Sequence, residues 1–530
     1  MTYLHPRAVC LRVLVLCLLV VALPCRSVFA QQTTKLPAAD KIVDNYLKAI
    51  GGKKRAISIR DATYEWTIQL RDQPQGVAKI QFKAPASLRS EMTFGNGQII
   101  SAANSRSVWE LGLDGQLRTL TGPEAVAAKL QAALDVAHLV DYKKSNILAR
   151  VTSLKDTFAG PAYVVEFSAR TGGRLRYLFS TEKKLLIGME DDARRRTTWF
   201  EDYRPEGGIL EPHVLRLNPG GTGELTFKLA RVTYNSGIAD SVFDPPRGEA
   251  ALDVAALLRE VSRNQDEVEK RFTEYSFLQK ETEREIDGKG VVKKETVKVS
   301  EVFPIANRRP IVKLISENGV HLSGDRAAKE EKRVQEEFEK AERDKDKDAQ
   351  KEEQRRAERR RKRGNNGQQE EDGDVEISQF LVVCEFVSPR REHFQDREVV
   401  VFDFRARSGF KPRNRQESLI SKLVGVVWID PAARQVIRLE ARLAEGFKMA
   451  GGLLLSLRPG AALVMEQMRL NEGIWMPRFA QINLSVKVLL FGGGDINQTT
   501  EWSDYKHFSA DVDSYKLGAP KTGDTPNKKP

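Results

Sequence analysis

The side chains capable of chemistry are few and far apart. Beyond the first 30 residues the histidines are His138, His213, His321, His393 and His507, and none is followed by a second ligand at metal-site spacing. The one cysteine of that stretch, Cys384, sits between Val383 and Glu385 with Phe386 next, and it reads as a half-buried strand residue. Glu190-Asp191-Asp192 presents three adjacent carboxylates, yet Arg194-Arg195-Arg196 follows at once, so the run reads as a charged turn before it reads as a cation site. No G-x-S-x-G elbow, H-E-x-x-H helix, C-x-x-C pair, phosphate loop or G-x-G-x-x-G turn after a strand occurs. No catalytic group, cofactor or metal is expected, and the chain is read as a non-enzyme.

What the chain offers instead is apolar surface at regular spacing. Trp66, Ile68, Leu70, Met92, Phe94 and Trp109 in the first half, with Trp475, Ile482 and Leu484 in the second, are the candidate lipid-binding residues. Lining a ligand cavity and packing beneath helices are both open to them. Met449 to Leu457, with Ala461 to Met465, is nearly all apolar but is broken by Arg458-Pro459-Gly460, so it forms a hairpin and is too short to span a bilayer.

The elements that must position these residues follow from periodicity. Ile42, Val43, Tyr46, Leu47 and Ile50 recur at helical spacing, and Gly51-Gly52 stops the helix. Ala62, Tyr64, Trp66, Ile68 and Leu70 alternate with polar residues, which makes a strand with one side for an interior. Short strands follow over 78–82, 88–94, 98–102 and 107–111, separated by turn residues. A second helix is expected over 123–139, with Pro123 in its first turn. More strands then run to Phe243-Asp244-Pro245-Pro246, whose prolines end the ladder.

The second half repeats the plan. Leu252, Ala255, Leu258, Val261, Val268 and Phe272 trace an amphipathic helix, and a long hairpin spans 275–302. From Lys329 to Arg363, 15 basic and 12 acidic residues fill 35 positions, a composition that cannot join a core and is expected to form a solvated helix or a disordered insertion. Strands return at 399–404 and continue to 499–505, with Ile482, Leu484, Val486, Val488 and Leu490 in strict alternation.

Arg7 and Arg12, an apolar run from Val13 to Leu23, and Val28-Phe29-Ala30 read as a secretory signal cleaved near Ala30. Its removal takes Cys10, Cys17 and Cys25, so no intrachain disulfide is expected and burial must hold the fold. It also takes three arginines, lowering the net charge from +12 to +9, with the two signs interspersed throughout.

The two halves also share a motif. Glu206 to Pro212 reads EGGILEP and Glu472 to Pro477 reads EGIWMP, and the strand-turn-strand stretches 178–190 and 428–440 lie on one another without a gap. The first half resembles the LolA-like periplasmic carriers of lipoproteins and lipids. The resemblance rests on the exported amino-terminal helix, Lys83-Ala84-Pro85-Ala86-Ser87-Leu88-Arg89 before a strand, Val108-Trp109-Glu110-Leu111, and Phe243-Asp244-Pro245-Pro246-Arg247-Gly248. The second half is similar in plan and more diverged. The resemblance implies a curved, incomplete antiparallel barrel closed by helices, around a cavity that shields acyl chains. Lipoprotein carriers of that family often place an arginine before the proline as a latch to a lid, and here Ala84 stands there.

The expected fold is therefore α+β, two curved antiparallel half-barrel sheets, each covered by helices. The expected organisation is a signal peptide (1–30), a first LolA-like domain (31–248), a second (249–514) carrying the charged insertion 326–374, and a disordered tail (515–530). The expected function is periplasmic binding and carriage of a lipid or acylated lipoprotein in envelope trafficking. Its partners would be acyl chains, with transient contact to inner- and outer-membrane components and none with nucleic acid. The alternative is a non-catalytic envelope sensor or scaffold that binds a protein partner through the same fold.

Overall fold

The alternation in 61–70 and the helical stripe in 39–49 are made for each other. In helix α1 (Ala39–Ala49) Ile42, Val43, Tyr46 and Leu47 are buried, and they pack into the same cluster as Ala62, Tyr64, Trp66 and Ile68 of strand β1 (Asp61–Leu70). Thr67, on the opposite side of the strand, is exposed. The computed structural model describes residues 36–507 except 136–137, 141, 170–171, 221–222, 247–253, 273, 288–290, 306–308, 344–379, 381, 450–454, 471–472 and 489–491. The expected signal segment, the insertion from 344 to 374, the junction 248–249 and the tail 515–530 lie outside the described residues.

The first sheet starts with the meander β1, β2 (Gln73–Lys83), β3 (Ser87–Phe94), β4 (Gly97–Ala103), β5 (Val108–Leu111) and β6 (Leu117–Thr119). Short helix α2 (Lys53–Ser58) precedes it, and helix α3 (Gly122–Asp135) follows. A second meander then runs through β7 (Ile147–Thr157), β8 (Gly160–Ala169), β9 (Arg174–Ser180), β10 (Leu186–Asp191), β11 (Arg196–Glu206), β12 (Ile209–Asn218) and β13 (Leu225–Tyr234). Strand β13 pairs with β1, so the thirteen strands form one antiparallel sheet whose free ends are β6 and β7.

Helix α3 touches β3, β4 and β5 of one meander and β8 and β9 of the other. Strands β5 and β8 stand ten places apart in the sheet order, which is roughly 48 Å in a flat sheet at the usual strand spacing. A 14-residue helix is only about 21 Å long. The sheet must therefore curl until both ends meet α3, leaving a seam that hydrogen bonds between β6 and β7 do not close.

The second sheet follows the same order. Helix α4 (Val254–Phe272) precedes β14 (Tyr275–Ile286), β15 (Val292–Phe303), β16 (Ile311–Glu317) and β17 (Val320–His321). Helix α5 (Gly324–Arg343) leads to β18 (Cys384–Phe394) and β19 (Arg397–Ala406). Then come α6 (Arg415–Ile420), β20 (Leu423–Asp430), β21 (Gln435–Leu443), the small hairpin β22 (Phe447–Met449) and β23 (Leu455–Leu457), β24 (Ala462–Arg469), β25 (Trp475–Val488) and β26 (Gly492–His507). The last strand again pairs with the first of its sheet, β26 with β14. In both sheets the shared Gly-Ile-apolar motif opens the strand next to the last, β12 in one and β25 in the other.

That motif is a docking point. Gly51, at φ +121°, lets the end of α1 press against the Gly208-Ile209 turn, where a Cβ on Gly51 would sit 2.7 Å from the Gly208 carbonyl oxygen. The Leu210 amide then donates to the Ile50 carbonyl at 2.8 Å. In the second half α4 likewise touches β25.

Three expectations need correction. The charged segment from Lys329 to Arg343 does join a core: Val334 and Phe338, one helical turn apart on α5, are buried against Phe303 and Ile311, and the Phe303 and Phe338 rings meet edge-on at 5.3 Å. Helix α3, described to Asp135, does not continue to 139, because His138 and Leu139 turn into the left-handed region at φ +46° and +63°. Cys384 is fully buried rather than half-buried. From Ala38 on, the described residues belong to one compact unit, and no described helix is long and apolar enough to cross a membrane.

Gly51→Ala forces a side chain into both a left-handed backbone and the Gly208 carbonyl. It is expected to lower the unfolding free energy by about 1–3 kcal/mol in urea titrations, whereas the same change at Gly115, which has open space around it, tests the backbone contribution alone.

Candidate functional site

The residues singled out for chemistry do not assemble. His213 lies 3.2 Å from Glu206, His321 and His393 are exposed, and His507 meets Tyr275 edge-on. Among the described residues no group of three or more His, Cys, Asp or Glu side chains is placed to hold a metal ion. The Glu190-Asp191-Asp192 run is consumed by cations: Glu190 by Lys155 and Arg176, Asp192 by Arg176, and Asp191 by Arg194 and Arg196. Burial pushes the Cys384 thiol up to about 12, which leaves it protonated and unreactive near neutrality.

His138 is the exception, and it belongs to a polar network inside the first sheet. The hydroxyls of Tyr64 and Tyr234 donate to Glu211 Oε1 at 2.7 and 2.8 Å, and His138 Nε2 stands 3.6 Å from the same oxygen. At the end of α3 the Tyr177 hydroxyl donates to Asp135 at 2.6 Å. Burial raises the Asp135 carboxyl above its ordinary range and, with the Glu211 charge, raises the Tyr64 hydroxyl well above its own. These contacts tie the carboxyl end of the seam helix to the inner face of the sheet.

The apolar candidates divide. Trp66, Ile68, Met92 and Phe94 share one cluster beneath α1, where Trp66 and Ile68 are fully buried and Met92 and Phe94 partly so. The register explains it, since Trp66 and Met92 flank Ala78 while Ile68 and Phe94 flank Gly76 across three adjacent strands. Leu70 is half-buried at the end of β1. Trp109 lies in a separate cluster with Ile100 and Ala102, its indole N–H held by the Phe243 carbonyl at 3.0 Å. Trp475 packs with Val401 and Trp428, Leu484 with Leu443 and Phe447, and Ile482 is half-buried on β25.

The residues that sequence reasoning missed join the two sheets. Arg390, from edge strand β18, is wholly buried and reaches Glu392 at 2.8 Å, Asp403 at 3.0 Å and the Thr119 hydroxyl on edge strand β6 at 2.7 Å. Glu392 accepts the Thr119 amide at 2.7 Å, and Asp403 accepts the Ser107 hydroxyl at 2.9 Å and Arg106 Nε at 3.3 Å. Every charge in this cluster has an opposite partner and hydrogen bonds, the condition under which buried ions are tolerated. Next to it a cavity of about 210 Å³ opens between α3 and strands β21 and β24. A second, of about 230 Å³, opens between β7–β9 and β14, and the two share Ala169 and Gln481.

No family model matches the sequence, and no curated protein does. Among solved structures the chain is similar to a DUF1329 family protein from Desulfovibrio piger, with a TM-score of 0.27 at 12% identity, covering 39% of this chain and 96% of that one. It is similar to a LolA superfamily protein from Nitrosomonas europaea, with a TM-score of 0.28 at 12% identity, covering 40% and 99%. It is also similar to the MucA/MucB complex of Pseudomonas aeruginosa, with a TM-score of 0.16 at 6% identity, covering 87% and 93%.

Arg390→Met leaves Glu392 and Asp403 buried without their cation, and is expected to cost about 3–5 kcal/mol of unfolding free energy. Arg391→Met, which removes only an exposed pair with Glu398, is expected to cost under about 1 kcal/mol. Equal small losses in urea unfolding followed by tryptophan fluorescence would contradict the buried weld.

Proposed function

We propose that the chain is an exported, non-catalytic binding protein that carries an amphiphile, a lipid or the acyl chains of a lipoprotein, within the cell envelope. The observation that carries this reading is the seam of the first sheet. Its edges β6 and β7 do not pair, α3 bridges β3–β5 on one side of the seam and β8–β9 on the other, and the carboxyl end of α3 hangs on the Asp135–Tyr177 and His138–Glu211 contacts over an apolar interior. A barrel closed by strand pairing opens only by breaking a ladder, whereas this interior is reached by moving one helix.

The buried indole N–H of Trp66 supports the same reading. It has no acceptor among the described residues, and a buried unpaired donor of this kind costs about 1–3 kcal/mol, which an ester or headgroup oxygen would recover. Trp66, Ile68, Met92 and Phe94 would receive the chain, and Leu70, Trp109, Trp475, Ile482 and Leu484 stay outside that seat. Each methylene withdrawn from water contributes roughly 0.8 kcal/mol, so such a seat suits transfer across an aqueous compartment. The amino-terminal signal pattern supports export to the periplasm.

A second reading, binding of a protein partner, is favoured by α5. Val334 and Phe338 root this helix in the second sheet while Lys332, Gln335, Glu336 and Glu339 face solvent, a fixed and highly charged surface.

Native mass spectrometry of the full chain, purified from an envelope extract without detergent, separates the two. Added mass that denaturation releases and that appears as lipid in the organic extract is expected. A bare chain that acquires no lipid from added vesicles contradicts carriage, and a co-purified protein lost when Val334 and Phe338 are both changed to Asp supports the second reading.

A further inference from the structure

The interior of the first sheet is filled by α1, but the cavity between the sheets already stands open. Its walls are half apolar, with Val126, Leu130 and Ala133 from α3 facing Ala462, Leu463 and Val464 from β24. Three cations line the same space. Arg106 is satisfied by Asp244 and Asp403. The other two are not satisfied: among the described residues Lys129 Nζ donates only to the Arg106 carbonyl, at 3.1 Å, and Arg442 Nε only to the Ser105 carbonyl, at 2.8 Å.

Because those carbonyls belong to consecutive residues, the ammonium from α3 and the guanidinium from β21 converge on adjacent peptide groups. Neither has a carboxylate partner among the described residues. The acid on that wall, Glu440, is taken by Arg438 at 2.5 and 2.9 Å, and Arg438 also holds Glu466. Burial and the Arg442 charge push Lys129 down to about 8, outweighing the attraction of the Glu440 and Asp403 charges. Two like charges beside an apolar wall are relieved by an anion, and the wall asks for more than an anion.

We propose that this crevice seats a single-chain anionic amphiphile, its oxyanion between Lys129 and Arg442 and its chain laid between α3 and β24. The proposal rests on the amphiphile-binding reading above and adds to the seat under α1 a second one, between the sheets, with a headgroup charge. The shared chemistry is an oxyanion on an alkyl chain, whether the carboxylate of a fatty acid or the phosphate of a lipid.

The test is calorimetric titration of the full chain with sodium dodecanoate and with dodecyl phosphate below their micellar concentrations, with dodecanol, acetate and inorganic phosphate as controls. Each dodecyl anion is expected to bind, and the stronger of the two identifies the headgroup. Lys129→Gln and Arg442→Gln are each expected to weaken binding about tenfold, the size of one charged hydrogen bond, and dodecanol is expected to bind both variants as it binds the unaltered chain. Ala133→Phe, which narrows the apolar wall and leaves both cations, is expected to weaken the dodecyl anions and spare any residual acetate binding.

Dodecyl anions that bind the unaltered chain and all three variants alike overturn the crevice and leave the carrier reading standing. Acetate or inorganic phosphate binding as tightly as the dodecyl anions overturns the amphiphile assignment of this site. Failure of every probe, dodecanol included, overturns the carrier reading itself. Circular dichroism confirms the fold of each variant, and if Lys129→Gln unfolds, Lys129→Arg is used, which is expected to retain binding.

Discussion

One buried arginine fixes how the two sheets stand to each other. Arg390 reaches from β18, the edge of the second sheet, to Thr119 on β6, an edge of the first, while Glu392 and Asp403 neutralise it. Edge strands present unpaired backbone groups and invite association, and here two edges are spent on each other through side chains instead of a shared ladder. An ion cluster is a demanding way to join sheets because its geometry must be satisfied as a whole. It therefore sets a definite register, which a greasy contact would leave loose. The crevice exists because that register holds Arg106 of the β4–β5 turn and Lys129 of α3 beside Arg442 of the second sheet.

The interior of the first sheet follows a different logic. Its apolar cluster is continuous from α1 across β1 and β2 to β8 and β9, and burial on that scale supplies the stability of a chain whose described residues include only one cysteine. The seam helix is handled separately. Alanines dominate its buried positions, Ala125, Ala127, Ala128 and Ala132 among them, so α3 contributes little apolar area per residue and depends on polar contacts at its end. An element held by a few hydrogen bonds over a large core is the one whose local opening needs the least free energy.

Much of this was legible in the sequence where a periodic signal was long. The stripe of α1, the nine-residue alternation of β1 and the hairpin of β14 and β15 were all visible, as was the Gly-Ile motif that opens β12 and β25. What failed has a physical reason in each case. Two apolar residues in α5, Val334 and Phe338, were submerged in charge, although their spacing of four is enough to anchor a helix. Strand β7 was not expected, and of β18 only its start at Cys384 read as strand, because edge strands carry Lys155 and Asp156 or Arg390, Arg391 and Glu392 where a central strand would alternate. Alternation told which side of a strand faces inward but not which cluster receives it, so the nine apolar candidates spread over several clusters. The crevice was invisible for a simpler reason: Lys129 and Arg442 are brought together only by tertiary structure.

The central claim is that a chain with an anionic head lies between the sheets, against α3 and β24. A crystal structure of the full protein with 12-bromododecanoate locates the bromine by its anomalous scattering. The account expects a peak in the crevice beside Leu463 and Val464, with carboxylate density between Lys129 and Arg442. A bromine peak under α1 near Ile68 alone would leave the chain in the interior seat and overturn the crevice, and no peak at ligand concentrations that saturate binding in solution would contradict the account.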